Sequence, residues 1–131
     1  DFDFLGFTLQ YEMCYTNILQ VIDLAQIPLR AKERTWDHPI VIGGGPCTYN
    51  PEPLAEFFDI FYMGEGETEY MHLMDLYREC RSNNVSREEF LYRASQIPGF
   101  SYSRSCPRSP SPPRWEKTAI DLPQAAVLPL F

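Results

Sequence analysis

The sequence predicts an α/β fold built on a parallel β-sheet, and three observations carry that prediction. Two short apolar runs, Pro39-Ile40-Val41-Ile42 and Ile60-Phe61-Tyr62-Met63, stop abruptly at glycine, in Gly43-Gly44-Gly45-Pro46 and Gly64-Glu65-Gly66-Glu67. A continuous apolar run is the pattern of a strand buried on both faces, and glycine at its end lets the backbone come close to a bulky group. Helical patterns follow both runs, which puts both glycine turns at the carboxyl edge of one sheet. That edge is where open α/β folds bind ligands.

Taken in order, Phe4-Leu5-Gly6-Phe7-Thr8-Leu9 reads as a buried strand. A helix is expected from about Thr16, because Ile18, Val21, Ile22 and Ala25 repeat at helical spacing, and Pro28 ends it. After the strand Ile40-Ile42 and its glycines, Asn50-Pro51-Glu52-Pro53 predicts a helix start: asparagine as N-cap, proline at the first helical position and an early glutamate. Leu54, Phe57 and Phe58 form its expected buried stripe. Strand Ile60-Met63 leads through the Gly64 to Glu67 turn into a helix with Tyr70, Leu73, Met74 and Tyr77 on one face, broken at Asn83-Asn84. Ser86-Arg87-Glu88-Glu89 is a capping box, and Phe90, Leu91, Ala94 and Ile97 make a further amphipathic helix stopped by Pro98-Gly99.

The alternation of strands and helices predicts a right-handed, parallel, three-layer sheet of Rossmann or flavodoxin type. Beyond residue 99 the character changes. Phe100-Ser101-Tyr102-Ser103 and Trp115 to Ile120 read as strands of a small antiparallel extension over 100–121, separated by the Pro/Ser/Arg-rich loop 104–114, whose composition packs no core. Residues 122–131, apolar and broken by proline, read as a linker toward a following domain.

Composition bounds the function. At 131 residues, with 44% apolar and 15% aromatic content, the chain fills a single core but falls short of a complete enzyme. A net charge of -7, from 11 Lys+Arg against 18 Asp+Glu, argues against a nucleic-acid partner. No run approaches the roughly 20 apolar residues of a membrane span, and Asp1-Phe2-Asp3 opens no signal peptide, so a cytoplasmic protein without a membrane partner is expected. Cys14, Cys47, Cys80 and Cys106 contain no C-x-x-C pair and read as free reduced thiols, two of them on the ligand edge. His38 and His72 stand alone and read as surface or packing residues, so no metal site is expected.

Three segments together carry a family resemblance: Phe4-Leu5-Gly6-Phe7-Thr8-Leu9-Gln10-Tyr11, then Ile42-Gly43-Gly44-Gly45-Pro46 with Asn50-Pro51-Glu52-Pro53, then Gly64-Glu65-Gly66-Glu67. In combination they resemble the cobalamin-binding-like domain at the front of uncharacterised cobalamin-type radical SAM proteins. The resemblance extends to Ile120-Asp121-Leu122-Pro123, the approach to a catalytic barrel.

The resemblance implies roles for particular residues. Thr8, Leu9 and Gln10 stand where a Ser/Thr-x-Leu element ends a strand of the cobalamin domain, with Tyr11 next to them as a further cofactor-binding candidate. Gly43, Gly44, Gly45 and Pro46 stand where a glycine pair leaves room for the nucleotide tail of the corrinoid. Gly64, Glu65, Gly66 and Glu67 match the end of the next strand, where a carboxylate accepts hydrogen bonds from a ribose or corrin amide. Each has a plain structural reading beside it: a tight turn for Gly43 to Gly45, favourable charge at a helix start for Glu65 and Glu67, a satisfied core hydroxyl for Thr8 and a rim aromatic for Tyr11.

The departures from the family pattern are equally informative. The D-x-H-x-x-G element that ligates cobalt and the C-x3-C-x2-C cluster signature are both absent from these residues. The expectation is therefore a partial domain, with its first βα units missing, that carries no catalytic site. It would present a corrinoid to a radical SAM barrel of the same parent chain, with SAM and a [4Fe-4S] cluster only in the missing downstream domain. The alternatives are a degenerate module for substrate recognition or docking, and a binder of another nucleotide at the same edge. In the flavodoxin-like strand order Phe4 to Leu9 is central, so a missing upstream neighbour leaves an uncharged strand edge as a template for self-association.

Overall fold

The computed structural model describes residues 2–64 and 69–102, and in them the α/β layers are present. The order is β1 (Phe4–Thr8), α1 (Tyr15–Leu24), β2 (Ile40–Gly44), β3 (Ile60–Tyr62), α2 (Glu69–Ser82), α3 (Arg87–Ala94) and β4 (Phe100–Tyr102). The strands form one sheet in the order β1-β2-β3-β4, with β1, β2 and β3 parallel and β4 antiparallel to β3. The expected antiparallel segment Phe100-Tyr102 thus extends the main sheet. The second strand expected beyond it, Trp115 to Ile120, lies outside the described residues, as do the loop 104–114 and the segment 122–131.

Alternation along β2 and β3 explains their unbroken apolar runs. Ile40, Ile42, Ile60 and Tyr62 pack with Leu73 and Cys80 of α2, with Phe90, Leu91 and Ala94 of α3, and with Phe100. Val41 and Phe61 point the other way, into a cluster with Leu9, Leu54, Phe58 and the α1 residues Ile18 and Ile22. The result is three layers, with helix on both faces of the sheet.

Strand β1 departs from the expected fully buried run. It pairs with β2 and has no second neighbour among the described residues, its side chains are half-buried or exposed, and Gly6 has no atom within 4 Å of where a Cβ would stand. An edge strand is covered less completely than a central one, and its outer N–H and C=O groups face solvent.

The helix ends are set by local geometry. α1 stops at Leu24, well before Pro28, because Gln26 takes a left-handed φ of 57°. The Ile27 N–H donates to Ile22 O at 3.2 Å and the Gln26 N–H to Asp23 O at 2.9 Å, the Schellman arrangement, with Ile27 packing beside Ile22. α2 ends in the same way: Asn84 has φ 51°, the Val85 N–H donates to Cys80 O at 2.9 Å, and Val85 packs in the Cys80 cluster. The expected Ser86 cap is formed, its hydroxyl accepting from the Glu89 N–H at 3.2 Å.

In place of the helix expected after Asn50 stands the 3-10 turn Glu52–Leu54, and another, Pro46–Tyr49, precedes Asn50. Asn50 closes the first of these turns at φ -128° and ψ 74°, outside the helical region that the residue before a proline avoids, and Pro51 stands in the N-cap place of the second. Pro51 and Pro53 remove two donors within a short span, so the segment closes on i to i-3 bonds such as Leu54 N–H to Pro51 O at 3.0 Å. Leu54 and Phe58 are still buried, so the apolar stripe survives without the helix.

At the amino edge of the sheet lies a buried ionic hub. Asp59, immediately before β3, has a fully buried side chain whose Oδ2 accepts from Arg34 Nη1 at 2.9 Å, from Arg87 Nη2 at 3.1 Å and from the Val41 N–H at 2.8 Å. Two guanidiniums meet one carboxylate, and main-chain carbonyls supply the remaining negative ends. Arg34 donates to the carbonyls of Pro28, Leu29 and Phe57, and Arg87 to those of Thr35, His38 and Pro39, at 2.6–2.9 Å. Burial pushes the Arg87 pKa down, Asp59 opposes that shift, and neighbouring Arg34 adds to it.

Removing one member of a buried pair strands the other charge. Asp59→Ala is therefore expected to lower stability by about 3–5 kcal/mol, read as the urea midpoint by circular dichroism. Arg30→Ala breaks the exposed Arg30–Glu56 pair at 3.3 Å and is expected to cost under about 1 kcal/mol. Equal midpoints for the two variants would show that the hub does not hold the fold.

Candidate functional site at the carboxyl edge

The carboxyl ends of β1, β2 and β3 converge on one open cleft of about 410 Å³, lined by Gly6, Phe7, Thr8, Ile42, Gly44, Gly45, Tyr62, Gly64 and Tyr70. Strand register builds it. Thr8 lies beside Gly44 and Gly44 beside Tyr62, with Gly6 and Ile42 paired one step back on the same face. Gly6 and Gly44 therefore bare the sheet on the α2 side, and Tyr70 in the first turn of α2 stands over the gap. Its hydroxyl is 3.8 Å from the position a Gly44 Cβ would take.

The three adjacent glycines do different things. A Cβ on Gly43 would meet Leu9 Cδ1 at 3.0 Å and the Phe58 ring at 3.1 Å, so Gly43 belongs to the packed core of the opposite face. Gly44 is open to the cleft. Gly45 turns the chain at φ 101° and ψ -177°, a region essentially closed to other residues, and a Cβ there would lie 3.0 Å from Leu9 O. The turn is fastened by main-chain bonds: Leu9 N–H to Gly44 O at 2.6 Å and Cys47 N–H to Leu9 O at 2.9 Å. The buried Thr48 hydroxyl also donates to Gly45 O at 2.6 Å.

Of the residues singled out in the sequence, the structure brings Thr8, Gly44, Gly45 and Gly64 together on the cleft. Leu9 and Gly43 sit in the core beneath it, Gln10 and Pro46 are exposed beside it, and Tyr11 is 59% exposed on the same rim. Glu65, Gly66 and Glu67 lie outside the described residues. Sequence reasoning missed Tyr62 and Tyr70, which read as ordinary core positions. The available signal was chemical: tyrosine rather than phenylalanine or leucine stands on both sides of the Gly64 to Glu67 turn.

Among the described residues the cleft wall is aromatic and carries no charged side chain. The Tyr62 and Tyr70 rings lie 5.1 Å apart and both contact Phe100, at 4.5 and 5.5 Å. Burial raises the Tyr70 pKa, and neighbouring Tyr62 adds to the shift, so its hydroxyl stays protonated at neutral pH. That hydroxyl makes no hydrogen bond among the described residues. Across the sheet, Tyr15 packs with the half-buried thiols Cys14 and Cys47. Burial first, then the hydrogen bond to Cys47 and the charges of Cys47, Glu12 and Cys14, push its pKa up to about 12. Among the described residues no group of three or more His, Cys, Asp or Glu is placed to hold a metal ion, and no helix is long and apolar enough to cross a membrane.

Residues 1–102 match the model for radical SAM proteins, N-terminal. The chain belongs to that family. It is also 38% identical over 82 residues to the uncharacterized protein MJ0966 of Methanocaldococcus jannaschii, a match that covers 60% of this chain. The chain spans only 16% of that relative's length. No solved structure matches it.

Gly45→Ala is expected to cost of order 1–3 kcal/mol from backbone strain, whereas Gly44→Ala, with ordinary contact to Tyr70, is expected to stay within about 0.5 kcal/mol. Chemical denaturation of the two variants checks the contrast.

Tyr15 and Tyr77 also predict a pH dependence. Tyr77 too is pushed up to about 12, by burial and by its hydrogen bond to Asp3 at 2.7 Å. Both folded pKa values exceed the ordinary 10.0, so the unfolded chain loses these protons first as pH rises. The stabilisation is complete below about pH 10 and is lost as pH rises toward about 12. The denaturation midpoint is expected to fall across that window, and Tyr15→Phe with Tyr77→Phe to flatten the fall. An unchanged slope in the double variant refutes the assignment.

Proposed function

We propose that this domain is the accessory, ligand-presenting part of a radical SAM enzyme, holding a corrinoid or part of one at the carboxyl edge of its sheet. The observation that carries the reading is the convergence of Thr8, Gly44, Gly45 and Gly64 on one cleft, at the edge where open parallel sheets take ligands. Membership of the radical SAM N-terminal family supports the parent chemistry. Cleavage of SAM at an Fe-S cluster then belongs to a barrel elsewhere in the parent chain, and the residues described here supply no catalytic group to it.

The residues fit one end of a corrinoid. A volume of about 410 Å³ lies at the small end of ligand pockets, which run to about 1,000 Å³, so the cleft accepts the nucleotide tail and leaves the corrin ring at the rim. The sides would be supplied by Thr8, Gly44, Gly45 and Tyr70. No histidine lines the cleft, and His72 is paired with Glu69 at 3.1 Å, so no axial cobalt ligand comes from the described residues. When bound, the corrinoid supplies cobalt-centred group or electron transfer.

A second reading, a docking module without cofactor, is favoured by the apolar groups exposed at the same edge, on the 3-10 turns Glu12–Cys14 and Pro46–Tyr49 and on Tyr11 just before the first of them. Tyr11, Met13 and Tyr49 are 59%, 87% and 74% exposed. On either reading, the outer edge of β1 is proposed to pair with another strand, a second copy included.

Titration with hydroxocobalamin, followed by its visible spectrum, tests the corrinoid reading. The 131-residue chain is expected to bind more weakly than about 10 µM and with no new axial ligand, and a longer natural protein to bind more tightly. Absence of binding to the longer protein selects the docking module. Tight binding by the 131-residue chain with a new axial ligand would overturn the reading of its residues.

A further inference from the structure

Two half-buried thiols, Cys14 and Cys47, stand on the α1 side of the sheet, in the turns that follow β1 and β2. We propose that they form a reversible disulfide, a redox-sensitive staple between those two turns. The oxidant is a low-molecular-weight disulfide.

Main-chain geometry brings the two turns together. Leu9 continues the β1 ladder, its N–H donating to Gly44 O at 2.6 Å, and Tyr11 is extended at φ -156° and ψ 154°. Carbonyls two residues apart in an extended chain point the same way and lie roughly 7 Å apart. Cys47 hangs from the first of them, its N–H 2.9 Å from Leu9 O. Cys14 hangs from the second, Tyr11 O, by its N–H at 3.3 Å and its Sγ at 2.9 Å. Both side chains then pack against the same cluster as Tyr15, whose hydroxyl is hydrogen-bonded to Cys47. A disulfide spans Cα separations of up to roughly 7 Å. The part that yields to close the sulfurs is Glu12–Cys14, a 3-10 turn with no side-chain cap and with Met13 87% exposed. Cys80, by contrast, is fully buried, and burial pushes its thiol pKa up, so it offers no thiolate to an oxidant.

In the reaction, the Cys14 thiolate attacks one sulfur of the small disulfide and expels a small thiolate, leaving a mixed disulfide on Cys14. The Cys47 thiolate then attacks Cys14 Sγ and expels the second small thiolate. The two protein thiols lose two electrons, the oxidant gains them, and the two thiol protons end on the released thiolates. The product closes a loop that contains α1, the connector and β2, and Tyr15 gives up its hydrogen bond to Cys47. The staple lies across the sheet from the cleft, so it neither requires nor excludes a ligand there.

The test exposes the folded 131-residue chain to oxidised glutathione, then maps its linkages by non-reducing peptide mass spectrometry. A Cys14–Cys47 linkage is expected as the main product, reversed by reduced glutathione. Oxidation is expected to lower the unfolding equilibrium constant at least about tenfold, because the closed loop restricts the unfolded chain. Cys14→Ser and Cys47→Ser are each expected to abolish that gain and to stop at a glutathione adduct on the remaining thiol. The mapping uses the unsubstituted chain, so it stands whether or not the serine variants fold. Glutathione adducts alone, linkages made mainly through Cys106, which lies outside the described residues, or a Cys14–Cys47 linkage that forms only in the urea-unfolded chain overturn the proposal. So does an oxidised chain that unfolds as readily as the reduced one, the mark of a bond made against the native geometry.

Discussion

The Asp59 carboxylate is the point on which the rest of the structure depends. Its Oδ2 binds the main chain of β2 through Val41, and the guanidiniums of Arg34 and Arg87 from two different segments. Arg34 gathers the irregular connector between α1 and β2 against the chain entering β3, and Arg87, the first residue of α3, ties the helical layer to the start of β2. Neither guanidinium can leave without exposing the other partners, because a buried charge without its carboxylate and carbonyls is costly. The connector, the sheet and α3 are therefore held in one register from one place.

The buried ion pairs gather at the amino edge, and the carboxyl edge is open. There the two faces of the sheet diverge. On the α1 side, Gly43 is glycine because Leu9 and Phe58 fill the space above it, and the strand ends are sealed into a core. On the α2 side, Gly44 and Gly6 face outward with little above them but Tyr70. Side chains alternate across a strand, so one residue separates a packing glycine from a cleft glycine. Three consecutive glycines thus serve three purposes: close packing, an open floor and a turn at positive φ.

A comparable division explains the two connections between parallel strands. The β1 to β2 link carries α1, ended by a Schellman turn whose apolar contact, Ile27 on Ile22, joins the core. The β2 to β3 link has prolines at 46, 51 and 53 and manages only 3-10 turns. It still covers the sheet, because burying Leu54 and Phe58 requires their placement over the strands and not a regular helix. Hydrophobic burial is non-directional, and a stripe of apolar side chains can be delivered by either geometry.

Much of this was legible in the sequence. The buried strands β2 and β3, the capping box of α3, the break at Asn83-Asn84 and the existence of a strand at Phe100 to Tyr102 follow from short-range rules of periodicity, capping and turn chemistry, whereas the pairing of that strand with β3 does not. The convergence of Thr8, Gly44, Gly45 and Gly64 was legible too, since parallel strands must end on the same side. The open edge of β1 was expected as well, and the failure of Pro51 and Pro53 to nucleate a helix was settled by competition between neighbours. Asp59 between Phe58 and Ile60 was a visible anomaly, but its partners lie 25 and 28 residues away in sequence, and no local pattern pairs them. Tyr70 likewise falls on the helical stripe of core residues, and only the absence of side chains on two strands of the sheet opposite turns its hydroxyl toward a cleft. The sequence by itself determined the elements and the edge at which they meet, because those depend on interactions within a few residues; tertiary structure alone decided which charges are paired and which glycines are bare, because both depend on what arrives from elsewhere in the chain.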